Sequence, residues 1–308
     1  MGGGSPPSLE VDVAGVKLKS PVMNASGVFG WSLEEARIVE EAGGSAFVAK
    51  TVTPKPRSGY GRPRMSKAAC GFVNAVGLAN PGVEEASRLL RETSRRLGIP
   101  VFASLAAGSP GEWAKAASIL LDAGVSALEL NLSCPHFKGG GLELGQDPQA
   151  VYRVVSEVVS VAGRVPVIAK LGVADRLVEA SSKALEAGAS GITLINSVKA
   201  MKIDIYTSKP VLSNIVGGLS GRAIHPIAVR AVYEVYRETQ AHIIGVGGVY
   251  TWEDAVELMM AGARAVQVGA AILEKGPKVL GEIAEGIRRF LWVQGYGSVS
   301  DIIGVAAR

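Results

Sequence analysis

A chain of 308 residues with 48% hydrophobic and 19% charged side chains has a globular composition with ample core, which excludes a disordered or fibrous polypeptide. Its 32 basic and 28 acidic residues leave a net charge of +4 spread thinly along the sequence, so no nucleic-acid surface is expected. Two cysteines (Cys70 and Cys134) and three scattered histidines argue against a disulfide framework or a zinc site; the N-terminal Met-Gly-Gly-Gly-Ser-Pro-Pro lacks the features of a signal peptide, and no apolar run reads as a membrane span, so a cytoplasmic location is expected.

In chain order, residues 1–8 are expected to be disordered and 9–308 to form a single domain. Val11 to Lys19 alternates about Ala14-Gly15 and predicts an N-terminal β-hairpin. Eight apolar β-type runs follow, over 22–26, 46–50, 101–105, 127–131, 167–171, 191–196, 243–247 and 265–269. The second, fourth, sixth and eighth each follow an amphipathic stretch ending in Ala-Gly: Ala42-Gly43, Ala123-Gly124, Ala187-Gly188 and Ala261-Gly262. The physical reading is a helix stopped by a glycine, then a buried strand. Three of the other runs begin beside Pro21, Pro100 or Pro166, which suits a strand's first residue. Buried strands alternating with helices imply parallel pairing. Eight such units in about 250 residues predict an α/β fold of the (β/α)8 TIM-barrel type rather than an open doubly wound sheet. Two stretches break the alternation, Thr53 to Gly71 and Val198 to Val216. Both follow predicted strands, so they are expected as long insertions over the C-terminal barrel face, where barrel active sites lie.

Several buried runs carry, at or near their ends, residues that are costly to bury: Lys50, Asn131 and Asn196 at the end, Lys170 near it. One such residue is ordinary. Four at the same barrel face, beside two long insertions, point to a site. Glycines at the ends of the last two runs, Gly247-Gly248 and Gly269-Ala270, stand where barrels bind phosphate through backbone N–H groups. No G-x-G-x-x-G fingerprint supports a Rossmann domain. Cys134, in Asn131-Leu-Ser-Cys-Pro135, is followed by the glycine-rich Lys138–Gly141, expected to be a loop over the site. A thiol near Lys50 or Lys170 could abstract a proton. Cys70 is read as packing.

Ala25-Ser-Gly27, Lys50-Thr51, Asn74-Ala-Val-Gly-Leu78, Asn80-Pro-Gly82, Asn131-Leu-Ser-Cys-Pro135, Lys170-Leu171, Ile195-Asn-Ser197, Gly217-Gly-Leu-Ser-Gly221, Gly247-Gly248 and Gly269 occur in this order. From about Leu9 to the C-terminus the sequence thereby resembles the class 1 dihydroorotate dehydrogenases. The resemblance implies FMN held by Ala25, Ser26, Gly27, Lys50, Thr51, Ser104, Asn131, Lys170, Ile195, Gly221, Gly247, Gly248, Gly269 and Ala270. It implies that dihydroorotate or orotate is held by Lys50, Asn74, Ala75, Val76, Gly77, Leu78, Asn131, His136, Asn196 and Ser197. Cys134 would take a proton from C5 of dihydroorotate while the C6 hydride passes to the flavin, and Lys170 would be the cation at the flavin N1 side. The class with a membrane-associated N-terminal extension resembles the chain less well, because its base is serine.

Four positions depart from the family pattern: Ser104 and His136 stand where asparagines are usual, Ala270 where threonine is common, and Ala79 where glutamine is. Ser-Cys-Pro-His and Gly145-Gln-Asp-Pro148 also resemble dihydropyrimidine dehydrogenases, which act on uracil or thymine, and this is the alternative on the same fold. A flavin-free phosphosugar lyase or isomerase using Lys170 as a Schiff base is the alternative of another class. The segment from Gly217 through Pro226 and on to Val235 most resembles the NAD-linked (class 1B) catalytic subunit. That implies a homodimeric core and a separate electron-transfer subunit carrying FAD and a [2Fe–2S] cluster, since two cysteines are too few for four thiolate ligands. Fumarate, a quinone or another soluble acceptor is the alternative.

Overall fold

The computed structural model describes residues 5–132 and 142–308. The hairpin forms from Val11–Val13 and Val16–Leu18, paired antiparallel around Ala14 and Gly15, both at positive φ. The eight predicted runs appear as strands β1 (Val22–Asn24), β2 (Phe47–Val48), β3 (Val101–Leu105), β4 (Ala127–Asn131), β5 (Val167–Leu171), β6 (Gly191–Leu194), β7 (Ile243–Val246) and β8 (Ala263–Val268). They pair in parallel in the order β1-β8-β7-β6-β5-β4-β3-β2. Helices α1 (Leu33–Glu41), α2 (Val83–Arg96), α3 (Pro110–Leu121), α4 (Pro148–Ala162), α5 (Leu177–Glu186), α6 (His225–Thr239), α7 (Trp252–Ala261) and α8 (Val279–Gln294) form the outer layer. The predicted α/β barrel is therefore the observed one.

Local chemistry explains the alternation. Reciprocal capping boxes start α1 (Ser32 with Glu35), α3 (Ser109 with Glu112) and α7 (Thr251 with Asp254). All four Ala-Gly glycines have φ between 75° and 127°, so each helix ends where a side chain would be strained. Between helices and strands lies the core: Phe47, Phe102, Trp113 and Leu128 are each at most 2% exposed. Burying a side chain of this kind stabilises the fold by about 1.5–3 kcal/mol.

The ring closes between β1 and β2 through a side chain rather than a ladder. Asn24, fully buried, donates to the Val48 carbonyl (2.8 Å) and accepts from the Val48 N–H (3.0 Å). Just before β2, the Ser45 N–H and hydroxyl both donate to the Val22 carbonyl. Asn24 thus performs the two hydrogen bonds that a ladder partner would supply.

The insertions lie over the strand C-termini and hold structure that periodicity did not predict. Met65–Ala68, Gly71–Asn74, Val216–Ser220 and Val198–Met201 form a four-stranded antiparallel sheet. Met65–Ala68 and Val198–Met201 are half-exposed on alternate residues and rich in lysine and small side chains, so their pairing is set by the partner strands. Cys70 sits in the turn of this sheet and is exposed, which corrects its reading as a packing residue: a tight turn projects its side chain to solvent. Among the described residues, no helix is long and apolar enough to cross a membrane.

Candidate active site

A cavity of about 1050 Å³ opens at the C-terminal ends of the strands. Every connection after a parallel strand contributes to this one face, which is why positions far apart in sequence meet there. Ala25, Ser26 and Gly27 enter the wall beyond β1, Lys50 and Thr51 beyond β2, Asn131 at the end of β4, and Lys170 near the end of β5. Ile195, Asn196 and Ser197 follow β6, Gly247 and Gly248 follow β7, and Gly269 and Ala270 follow β8. The insertion sheet supplies the remaining side through Asn74, Ala75, Val76, Gly77, Leu78 and, at its end, Gly221. Twenty of the predicted site positions thus line a single cavity.

Their side chains are held by one another. The register of β4 on β5 sets Asn131 opposite Lys170. The Asn131 amide donates to Thr51 Oγ1 (3.1 Å), and the Asn196 amide donates to Asn131 Oδ1 (3.3 Å). Asn196 Oδ1 in turn accepts from the Ser197 N–H (2.8 Å), and the Asn74 amide donates to the Gly218 carbonyl (3.3 Å). The amides are fixed in direction before any ligand arrives, as pre-organised recognition requires. At the glycine end, the Gly247 carbonyl accepts from His225 Nδ1 (2.9 Å), whose Nε2 lies 3.1 Å from Glu257.

The charge of the wall has one sign. Among the described residues it contains Lys50, Lys170 and Lys199 and no carboxylate. Lys50 packs near the Trp31 ring, 5.6 Å from its centroid, and the Trp31 indole N–H donates to the Lys50 carbonyl (2.7 Å). Burial, with Arg64 nearby, pushes the Lys50 amine below the ordinary lysine range, and Glu35 opposes the shift only in part. A ligand carboxylate would stabilise the charged amine. Arg222 stacks over Tyr250, 4.3 Å from its ring centroid, and burial above all raises the Tyr250 hydroxyl to about 12, keeping it neutral.

Ser104 is placed differently from the other predicted contacts. It is 1% exposed and lies behind the wall, its hydroxyl 2.8 Å from Thr51 Oγ1. It acts on the cavity through Thr51. Cys134 and His136 lie outside the described residues. Several polar residues of the wall escaped the sequence reading, among them Lys199, Tyr250 and Gln267, as did Glu129 behind it. Gln267 on β8 lines the cavity, and Glu129 on β4, fully buried, bonds both Gln267 and Lys170. The signal was present: a glutamate inside Ala-Leu-Glu-Leu-Asn and a glutamine inside Ala-Val-Gln-Val-Gly are polar residues in runs otherwise apolar.

Comparison with known proteins agrees with this geometry. The dihydroorotate dehydrogenase family matches residues 8–291. A protein of Aeropyrum pernix provisionally named dihydroorotate dehydrogenase A (fumarate) is 64% identical over 304 residues, covering 99% of each chain. The catalytic subunit of dihydroorotate dehydrogenase B (NAD(+)) from Pyrococcus furiosus is 44% identical over 303 residues, covering 98% of this chain and 99% of its own. The subunit of the same name from Methanothermobacter thermautotrophicus is 43% identical over 302 residues, covering 97% and 98%. With a (β/α)8 barrel, a cation-lined cavity at its C-terminal face and a family match over nearly the whole length, the chain belongs to the dihydroorotate dehydrogenases, a family of oxidoreductases.

Proposed function

We propose that the protein oxidises dihydroorotate to orotate in the pathway to UMP, with FMN in the cavity and Cys134 as general base. The observation that carries this reading is the convergence of twenty predicted positions on one cavity. At about 1050 Å³ it matches the upper end of small-molecule sites and has room for a cofactor and a small substrate together. Its donor set fits the groups proposed: lysines for a carboxylate and for the pyrimidine end of a flavin, asparagine amides for ring carbonyl and N–H groups, and glycines for a phosphate. Ala25 to Gly27, Thr51, Lys170, Ile195, Gly221, Gly247, Gly248, Gly269 and Ala270 would hold FMN. Bound there, FMN supplies a two-electron acceptor for hydride.

The chain's own residues do the rest. Lys50 binds the substrate carboxylate, and Asn74, Asn131 and Asn196 with Ser197 hold the ring in one orientation. Cys134, three residues beyond Asn131, removes the proton from C5 as hydride departs from C6, so that a C5–C6 double bond forms. His136 takes over a ring contact made by asparagine in relatives. A carboxylate substrate suits a wall of lysines better than uracil or thymine, which carry no charge. The test is a visible spectrum recorded before and after anaerobic addition of dihydroorotate. Bleaching of the flavin band by dihydroorotate and not by dihydrouracil supports the reading, and a colourless protein overturns it.

The electron acceptor has two readings. Several relatives are named as catalytic subunits of an NAD(+) enzyme, which supports a separate electron-transfer subunit; the sequence resemblance implies that it carries FAD and a [2Fe–2S] cluster. Exposed Ile203, Ile205 and Tyr206 on the insertion give apolar surface for a homodimeric core. The name of the Aeropyrum pernix relative favours fumarate. Rapid turnover by the isolated chain with fumarate selects the second reading. Turnover with artificial acceptors but poor NAD reduction selects the first.

A further inference from the structure

Beneath the cavity floor lies a buried charge for which the proposed chemistry has no direct use. Glu129 is fully buried on β4. Its Oε1 accepts from Lys170 Nζ (3.2 Å), and its Oε2 accepts from Gln267 Nε2 (2.7 Å) and Thr193 Oγ1 (3.2 Å). Gln267 Oε1 accepts from Lys170 Nζ (3.0 Å), closing a ring of three side chains. Glu129, Thr193 and Gln267 come from β4, β6 and β8, the alternate strands that build one interior layer of such a barrel. That layer is ordinarily filled by branched apolar side chains, and apolar replacements of buried ion pairs are often neutral or stabilising. The barrel therefore does not need this carboxylate for packing.

Lys170 does need it. Its side chain is 7% exposed, and an ammonium taken out of water without a counter-charge is strongly disfavoured. Two of its three N–H donors go to Glu129 and Gln267. The third has no acceptor among the described residues, and Lys170 and Gln267 both line the cavity. The other titratable side chains in the described wall are Lys50, Lys199 and Tyr250; none is a carboxylate.

We propose that Glu129 is a positioning residue: it keeps the Lys170 ammonium charged and aimed at the cavity floor, with Gln267 and Thr193 fixing its direction. This rests on the reading of the cavity as a flavin site. The test counts protons taken up when holoenzyme with bound FMN is reduced by two electrons at mildly alkaline pH. If Lys170 is charged before and after reduction, one proton accompanies two electrons. In Glu129→Gln the amide preserves shape but removes the counter-charge, so the buried amine is neutral before reduction and gains a proton when negative charge arrives. Proton uptake should rise from one toward two. Thr193→Val, which removes a hydrogen bond and keeps the charge, should remain at one.

An Glu129→Gln holoenzyme with the wild-type proton count overturns the proposal and leaves the flavin reading intact. Wild-type protein that binds no FMN overturns both. If Glu129→Gln does not fold, Glu129→Gln combined with Lys170→Gln should fold, because no lone charge remains. Failure of that double variant would make Glu129 a framework residue independent of Lys170, against the proposal.

Discussion

Replacing Gly248 by alanine tests the glycine end of the cavity most sharply. Gly248 has φ +65°, where a residue with a side chain loses about 1–2 kcal/mol. The new Cβ would lie 2.7 Å from His225 Cβ, 2.9 Å from the Gly221 carbonyl oxygen and 3.0 Å from the His225 nitrogen. Two of these are backbone atoms. The third, His225 Cβ, carries an imidazole ring anchored at both nitrogens, to the Gly247 carbonyl and to Glu257. Overpacking against such neighbours adds about 1–3 kcal/mol. The total of about 2–5 kcal/mol must emerge somewhere. If the loop stays in place, chemical denaturation of the apoprotein reads it as lost stability. If the loop moves away, FMN titration reads it as affinity weakened by tens- to thousands-fold. Gly269→Ala is the control: its φ is −118° and its Cβ would meet only Ala25 Cβ at 3.4 Å, so the stability loss should stay below about 1 kcal/mol. A Gly248→Ala protein equal to wild type in both stability and FMN affinity would refute the reasoning.

Three further outcomes are expected. Cys134→Ala should retain FMN but slow flavin reduction by dihydroorotate about 10²–10⁴-fold, as removal of a general base does, while Cys70→Ala, at an exposed turn, is silent; stopped-flow absorbance distinguishes them. Because the Lys50 amine is held below the ordinary lysine range, orotate affinity should be full at lower pH and fall as pH rises through that depressed value; Lys50→Arg, which stays charged, should flatten the profile, and calorimetric titration that finds wild-type affinity constant up to the ordinary lysine range would exclude the role. Asn24→Ala strands the Val48 N–H and carbonyl at the barrel closure and should lower stability by about 2–5 kcal/mol in denaturant unfolding, whereas a change within about 0.5 kcal/mol would mean that the ring closes without it.

Much of this molecule was legible in one dimension because its signals are local. A strand buried on both faces is a short apolar run, a helix end is an Ala-Gly pair, and a polar residue at the end of such a run announces the barrel's open face. Those three signals predicted eight strands, their parallel pairing and the candidate residues Lys50, Asn131, Lys170 and Asn196. The insertion sheet was not legible, because Met65–Ala68 and Val198–Met201 carry no apolar pattern of their own; each pairs with a strand near it in sequence, and the barrel joins the two pairs by setting Gly71–Asn74 beside Val216–Ser220. Side-chain partnership was beyond reach for the same reason. Ser104 reads as one more polar residue near a strand end, yet only the packing of β3 against the chain after β2 sets it behind Thr51. Asn24 gives no local hint that it closes the ring, and Glu129 and Gln267 stand 138 positions apart. Hydrogen bonds of this kind depend on distance in space, and distance in space between residues remote in sequence is decided by closure of the barrel.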